Sequence, residues 1–224
     1  MIALRCSRLR CHRPDWSDAP ACVHDISVDF REARLHGITG PPRSGKTLLL
    51  HLLGLLDEPD FGTVELFGEP VSPAPEELRR EIRNTVFGYV FPSPCLLPAF
   101  TVAENVAMPL FRISGADETA AQERVSELLT LLRIEHLANE PAASLDFDAQ
   151  FLSALARAIV HRPRILLLLV PGRPAALAPH VRRIVDELHI TSIWGGPQGE
   201  WLSSCDHRIE LDCGSLAAES TTLP

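Results

Sequence analysis

The stretch Gly40-Pro41-Pro42-Arg43-Ser44-Gly45-Lys46-Thr47 fits the pattern G-x-x-x-x-G-K-[S/T], in which glycines let a backbone loop wrap closely around phosphate oxygens. Before it, Leu35 to Thr39 reads as a short strand. After it, Lys46 to Leu56 is apolar on every side and reads as a buried helix. Strand, glycine-bearing turn and helix form the context that the motif requires. With glycine at about 7% of residues, a random chain of this length would carry the pattern about once in a hundred. In such a loop the backbone N–H groups point inward and the helix adds the positive end of its dipole. Lys46 is expected to reach the β- and γ-phosphates of a nucleotide, and the Thr47 hydroxyl to sit on Mg²⁺. Pro41 and Pro42 have no N–H to give, so the loop is expected to grip less tightly than one with small non-proline residues there.

Working outward from the loop, residues 2 to 11 and 23 to 30 show part-alternating apolar character and read as an opening β-hairpin layer, separated by a loop through Pro14, Asp15 and Pro20. Phe61 to Pro70, with Val64 and Leu66 between Gly62 and Gly68, suggests one more short strand. The charges of Glu76 to Arg83 suggest an exposed helix, and Thr85 to Phe91 a buried strand stopped by Pro92 and Pro94. Residues 102 to 137 carry helical periodicity, with Val125, Leu128, Leu129, Leu132 and Ile134 near one face. A helix from about Ala149 to His161 leads into Ile165 to Val170, a run so apolar that it reads as a central parallel strand covered on both faces. A helix at 177 to 188, a strand at 190 to 194 and a last strand near Arg208 to Leu211 complete an α/β alternation without internal repeats. Asp186, Glu187 and His189 read as a solvated helix end, and Ala217 to Pro224 as a loose tail.

Composition bounds the partners. Of 224 residues, 46% are hydrophobic and 22% charged, as in ordinary folded domains. A net charge of −8, without clusters of Lys and Arg, argues against a nucleic-acid surface, so any anion site must be local. The six cysteines make no C-x-x-C pair and no signal peptide precedes them, which favours a reducing, cytoplasmic setting and scattered thiols over a metal site. The longest apolar runs fall short of the roughly 20 residues that span a bilayer, so at a membrane another chain would do the spanning.

Several segments together resemble the ATP-binding subunits of ABC transporters, in particular the lipoprotein-releasing, macrolide-exporting and cell-division-associated branch. Leu49-Leu-His-Leu-Leu-Gly-Leu-Leu-Asp57 followed by Phe61-Gly-Thr-Val-Glu65 is similar to that family's stretch after the phosphate loop. Phe87-Gly-Tyr-Val-Phe91 with Leu96-Leu-Pro-Ala-Phe-Thr-Val-Ala-Glu-Asn-Val-Ala-Met-Pro-Leu110 resembles its Q-loop region and the entry to its helical subdomain. Leu155-Ala-Arg-Ala-Ile159 and Pro163-Arg-Ile-Leu-Leu-Leu168 resemble the helix after the signature motif and the strand carrying the Walker B acids. The resemblance implies a P-loop NTPase fold of α/β class: a central, mostly parallel sheet, an N-terminal antiparallel β layer and an inserted helical subdomain at about 93–150, all within one nucleotide-binding domain spanning 1–224. It also implies ATP and Mg²⁺ as cofactors, Gly40 to Thr47 as the nucleotide site with Thr47 on the metal, and a homodimer or a heterodimer with another such subunit. The assembly would lie beneath a membrane permease, on the inner face of the cell membrane.

Laid over these anchors, most other motifs of the family are altered. The Q-loop glutamine falls at Pro92, and of the signature L-S-G-G-Q only the first residue survives in Leu145-Asp146-Phe147-Asp148-Ala149. The two Walker B acids fall at Leu169-Val170, before the matching Pro171; the switch histidine falls near Pro197 and the D-loop aspartate at Ala178. Phosphoryl transfer rests on positioning and electrostatics around Mg²⁺ and an attacking water, which leucine and valine cannot supply. Asp146 and Asp148 would bring carboxylates towards a partner's γ-phosphate, a repulsion of about 4 kcal/mol per unit charge pair at 4 Å and an effective dielectric of about 20. The resemblance thus implies a catalytically degenerate subunit with no catalytic residue of its own. The alternative is an active transport ATPase, in which Asp146, Asp148, Asp206 or Glu200 substitutes from a shifted register. A small-molecule P-loop kinase would explain Lys46 and Thr47 but not Leu96 to Leu110. His12 and Trp16 are the nearby rings that could stack on adenine.

Overall fold

The computed structural model describes residues 1–14, 21–169 and 174–221. The chain opens with two long strands, β1 (Ile2–Arg13) and β2 (Ala21–Arg31), paired antiparallel as their alternation requires. β3 (Leu35–Thr39), buried throughout, runs into α1 (Lys46–Leu53), whose Leu48, Leu49, Leu50, Leu52 and Leu53 are all buried. β4 (Phe61–Leu66) pairs with β1 and with β5 (Glu69–Ser72), a strand the sequence pattern did not reveal because Pro70 interrupts it. The exposed α2 (Glu76–Thr85) buries no residue, as its charges imply, and β6 (Phe87–Val90) ends just before Phe91 and Pro92.

The helical periodicity of 102 to 137 resolves into several pieces. α3 (Val102–Pro109) is opened by a capping box, in which the Thr101 hydroxyl accepts from the Glu104 N–H while the Glu104 carboxylate accepts from the Thr101 N–H. A π-helical turn, Leu110–Ser114, stops at the left-handed Gly115; α4 (Glu118–Leu132) follows from its Asp117 cap, and a 3₁₀ turn, Glu135–Leu137, closes the run. α5 (Phe147–Ile159), β7 (Ile165–Leu169), α6 (Pro174–Leu188), β8 (Thr191–Gly195) and β9 (His207–Asp212) complete the alternation. The expected loose tail is instead β10 (Ser215–Thr221), antiparallel to β9. Its residues are all exposed, so no apolar pattern marked it; backbone pairing to β9 holds it. Residues 222–224 lie outside the described residues.

Two sheets result, in the orders β2-β1-β4-β5 and β10-β9-β3-β8-β7-β6; within the second, all pairs from β9 to β6 are parallel. β7 explains why both its faces must be apolar. Ile165, Leu167 and Leu169 pack with α1 and the antiparallel sheet, whereas Leu166 and Leu168 pack with α3 to α6. The parallel sheet is therefore the middle layer, and the strand that precedes Gly40 lies inside it, between β8 and β9.

Candidate functional site

Ligands of open parallel sheets gather outside the carboxyl ends of the strands, and the ends of β3, β7 and β8 meet at that edge. Ile38 is in register with Gly195 of β8, which is in register with Leu169 of β7, and the Gly196 N–H donates to Ile38 O at 3.0 Å. The Thr39 hydroxyl donates to Gln198 Oε1 at 2.9 Å, fastening the loop after β8 to the root of the glycine loop.

The loop itself needs glycine at two points. Gly40 has φ +145°, and a Cβ there would meet Leu211 O at 2.1 Å; Gly45 has φ +92°, and its Cβ would meet Cys22 O at 2.5 Å. Between them the Ser44 N–H donates to Pro41 O at 3.2 Å, while Ser44 O accepts from Gly214 N at 3.2 Å. Pro41, Pro42 and Arg43 are exposed and Ser44 is buried. The Lys46 ammonium donates to Gly40 O at 2.9 Å, Pro41 O at 2.8 Å and Ser44 Oγ at 3.1 Å, turned back onto its own loop. Burial lowers its pKa from the ordinary lysine value. Thr47 is exposed in the first turn of α1, which carries no acidic side chain, so the positive helix end is uncompensated. This arrangement suits an anion: one ammonium beside a helix N-terminus whose first turn holds no acidic residue.

The end of β7 has the opposite character. Leu169 is buried in the same apolar cluster as Ile38, Leu48 and Leu50. It has no oxygen to offer a metal ion, so among the described residues Thr47 is the loop's own metal-ligand candidate. Val170 and Pro171 lie outside the described residues. Pro92 and Pro197 are exposed where β6 and β8 run out, and Ala178 is buried in α6. The segment after β6 is pinned by Arg157 of α5, which donates to Pro94 O and Cys95 O, each at 2.7 Å. In the altered signature, Asp146 is the N-cap of α5, its carboxylate accepting from Ala149 N at 2.8 Å. Asp206 accepts from Leu35 N and from Arg182, both at 2.8 Å, at the opposite end of β3 from the loop. Glu200 is exposed in the 3₁₀ turn Glu200–Ser204. Of the two rings considered for adenine, His12 is exposed on β1, where its backbone N–H donates to Asp60 Oδ2, and Trp16 lies outside the described residues. Sequence reasoning missed Gln198 and Gly214, both of which touch the loop across more than 150 positions of chain; nothing local marks such contacts.

With this geometry in hand, the comparisons with known proteins converge. A family profile described as ABC transporter matches residues 23–168. The lipoprotein-releasing system ATP-binding protein LolD 2 of Caulobacter vibrioides is 38% identical over 158 residues, which cover 70% of this chain and 68% of that protein. The dimeric structure of MJ0796, a bacterial ABC transporter cassette, aligns with a TM-score of 0.86 and 23% identity over 99% of both chains. The structure of cbiO1 from Clostridium perfringens, part of the ABC transporter complex cbiONQ, aligns with a TM-score of 0.86 and 21% identity over 98% of this chain and 88% of that one. At these identities the two structures speak for the fold, and the profile and the LolD relative for the lineage. The chain belongs to the ABC transporter family, as an ATP-binding cassette.

Proposed function

We propose that this cassette holds ATP without turning it over efficiently, and that it serves as a regulatory or structural subunit beneath a membrane permease. In this reading the whole chain, 1–224, is one nucleotide-binding domain whose helical subdomain covers about 93–150. Gly40, Pro41, Pro42, Arg43, Ser44, Gly45, Lys46 and Thr47 surround the phosphates. Oxygens of the β- and γ-phosphates replace the carbonyls that Lys46 now touches, and Thr47 supplies the protein's oxygen to Mg²⁺.

The observation that carries the reading is Leu169. Leu169 is packed hydrocarbon at the end of β7; taken as the Walker B position, it leaves the metal without its usual carboxylate support. Two of the four candidate substitutes are engaged elsewhere: Asp146 caps α5, and Asp206 is bound to Arg182 at the far end of β3. The LolD-like branch supports an export or lipoprotein-releasing role for the complex. The dimer of MJ0796 supports pairing with a second cassette, identical or paralogous.

No helix of the described residues is long and apolar enough to cross a membrane, so the reading needs a partner that does, with this chain peripheral on the cytoplasmic face. A groove of about 480 Å³ between α3 and α4 suits that partner: Met108, Phe111 and Leu129 line it, and Glu104, Glu118 and Glu135 edge it. An apolar permease segment with basic flanks would match it in shape and charge. The test is an ATP-binding titration of the purified chain with Lys46→Ala as control. Saturable binding that the substitution abolishes supports the phosphate site; equal binding by both proteins contradicts it.

A further inference from the structure

Cys22, at the start of β2, and Cys213, in the turn from β9 to β10, meet across 191 positions of chain, with Cys22 Sγ 4.0 Å from Cys213 O. Backbone bonds zip the two segments together at the shoulder of the phosphate loop. His24 N donates to Gly214 O at 2.7 Å, and Gly214 N donates to Ser44 O at 3.2 Å. The Cys22 carbonyl, in turn, lies 2.5 Å from where a Cβ on Gly45 would sit. One cysteine therefore borders Gly45 while the residue after the other holds Ser44.

Three of the four remaining thiols are poor competitors. Cys6, Cys11 and Cys205 are buried, and burial pushes them up to about 12, 11 and 12 respectively, so they stay protonated and inert. Cys95 is exposed in the segment after β6 and serves as an internal control. Cys213 is exposed and Cys22 half-buried, so a small oxidant reaches both.

We propose that Cys22 and Cys213 form a reversible disulfide under a peroxide, and that this bond locks the phosphate loop in its self-bonded form. The thiolate of Cys22 attacks one peroxide oxygen; the O–O bond breaks, Cys22 becomes a sulfenic acid and hydroxide leaves. The thiol of Cys213 then attacks the Cys22 sulfur, displacing its hydroxyl, which departs with the thiol proton as water. The two sulfurs together lose the two electrons that the peroxide oxygens gain, and both oxygens end in water. Asp212 serves the second step as proton acceptor: its carboxylate accepts from the Cys213 thiol at 3.4 Å and takes up that proton as the sulfur attacks, passing it to the departing hydroxide, which offsets the raised pKa its charge gives the thiol.

The consequence for nucleotide follows from the hydrogen bonds and rests on the phosphate reading of Gly40 to Thr47. In the proposal, phosphate replaces Gly40 O and Pro41 O on Lys46 and the loop opens to admit it. A bond at Cys213, one residue from the Gly214 N–H that holds Ser44 O, removes that freedom.

The test treats the purified chain with hydrogen peroxide, blocks free thiols by alkylation and maps unreduced peptides by mass, with ATP affinity measured before, after, and after dithiothreitol. The expected result is a linked Cys22–Cys213 peptide as the main product and an affinity lowered about fivefold or more, restored by dithiothreitol and unchanged by peroxide in Cys22→Ser. In Cys213→Ser the reaction should stop at a sulfenic acid on Cys22. Oxidation of Cys95 with Cys22 and Cys213 still alkylated would overturn the bond, and a linked peptide with unaltered ATP affinity would overturn the lock. A reduced protein that binds no ATP removes the phosphate reading and the lock together, whereas the peptide map judges the bond independently.

Discussion

The ends of β3 and β7 lie at the same edge of one parallel sheet, separated only by β8, and carry opposite chemistry. β3 runs into a loop with an ammonium, backbone donors and an uncompensated helix end. β7 ends in Leu169, packed among Ile38, Leu48 and Leu50. On the proposed reading, the difference means that holding a phosphate and cleaving it are separable in this fold. Holding depends on backbone shape, which Gly40 and Gly45 secure and which the folded sheet keeps in place. Cleaving depends on carboxylates placed around metal and water; on the proposed reading hydrocarbon stands in their place at the end of β7, where Leu169 is itself part of a core.

The comparison breaks most visibly at Leu169. Leu169→Asp would bury a carboxylate in that cluster and should cost about 3 kcal/mol or more of unfolding free energy at neutral pH, read from urea midpoints with and without Mg²⁺. A variant as stable as the parent would mean that the strand end is wet and the two regions are less different than argued. On the other side, Lys46→Ala should weaken ATP binding about 10- to 100-fold, from the roughly 1.5–3 kcal/mol of a hydrogen bond to a charged group, with little change in Tm. Calorimetric titration and a thermal melt of the same sample separate these effects.

A smaller effect sharpens the reading of the altered signature. Asp146→Ala removes the N-cap of α5 and should cost about 1 kcal/mol of stability, leaving ATP affinity within about twofold. A change in ATP turnover with unchanged stability would instead make Asp146 a substitute acid.

The smallest effect concerns Arg13, which bonds both Asp57 and Asp60 in the connection behind α1. For Asp57, burial is the largest single influence and opposes ionisation, but the Arg13 hydrogen bond, the Glu58 N–H and the charges of Arg13 and His51 together outweigh it; for Asp60, the Arg13 bond is the leading cause, and both are lowered from the ordinary carboxylate value. A lowered carboxyl stabilises the fold fully above its unfolded value near 4 and loses that contribution as pH falls through its folded value. Both sites are partly open to solvent, so the pair should contribute no more than about 1 kcal/mol each. Urea unfolding between pH 7 and pH 3 should therefore show a smaller loss of stability in Arg13→Ala than in the parent.

Much of this was legible in the sequence, for reasons that differ by element. α1 and β7 announce themselves because they are apolar all round or on both faces, and β3 because it runs directly into the glycine loop. β10 was missed because an exposed edge strand carries no apolar alternation, and β5 because Pro70 masks it. At the site, the glycine-lysine pattern gave the loop residue by residue, since the constraint there is local. Gln198, Gly214 and Cys22 reach the loop only through the folded sheet, and their neighbours in sequence say nothing of it.

The most direct test of the separation between holding and cleaving is phosphate release measured on a sample whose ATP occupancy is determined in parallel. The account predicts stoichiometric, Lys46-dependent ATP binding with no steady-state phosphate release above the Lys46→Ala background. Steady release that Lys46→Ala abolishes would contradict it, and would place a working carboxylate beside the loop after all.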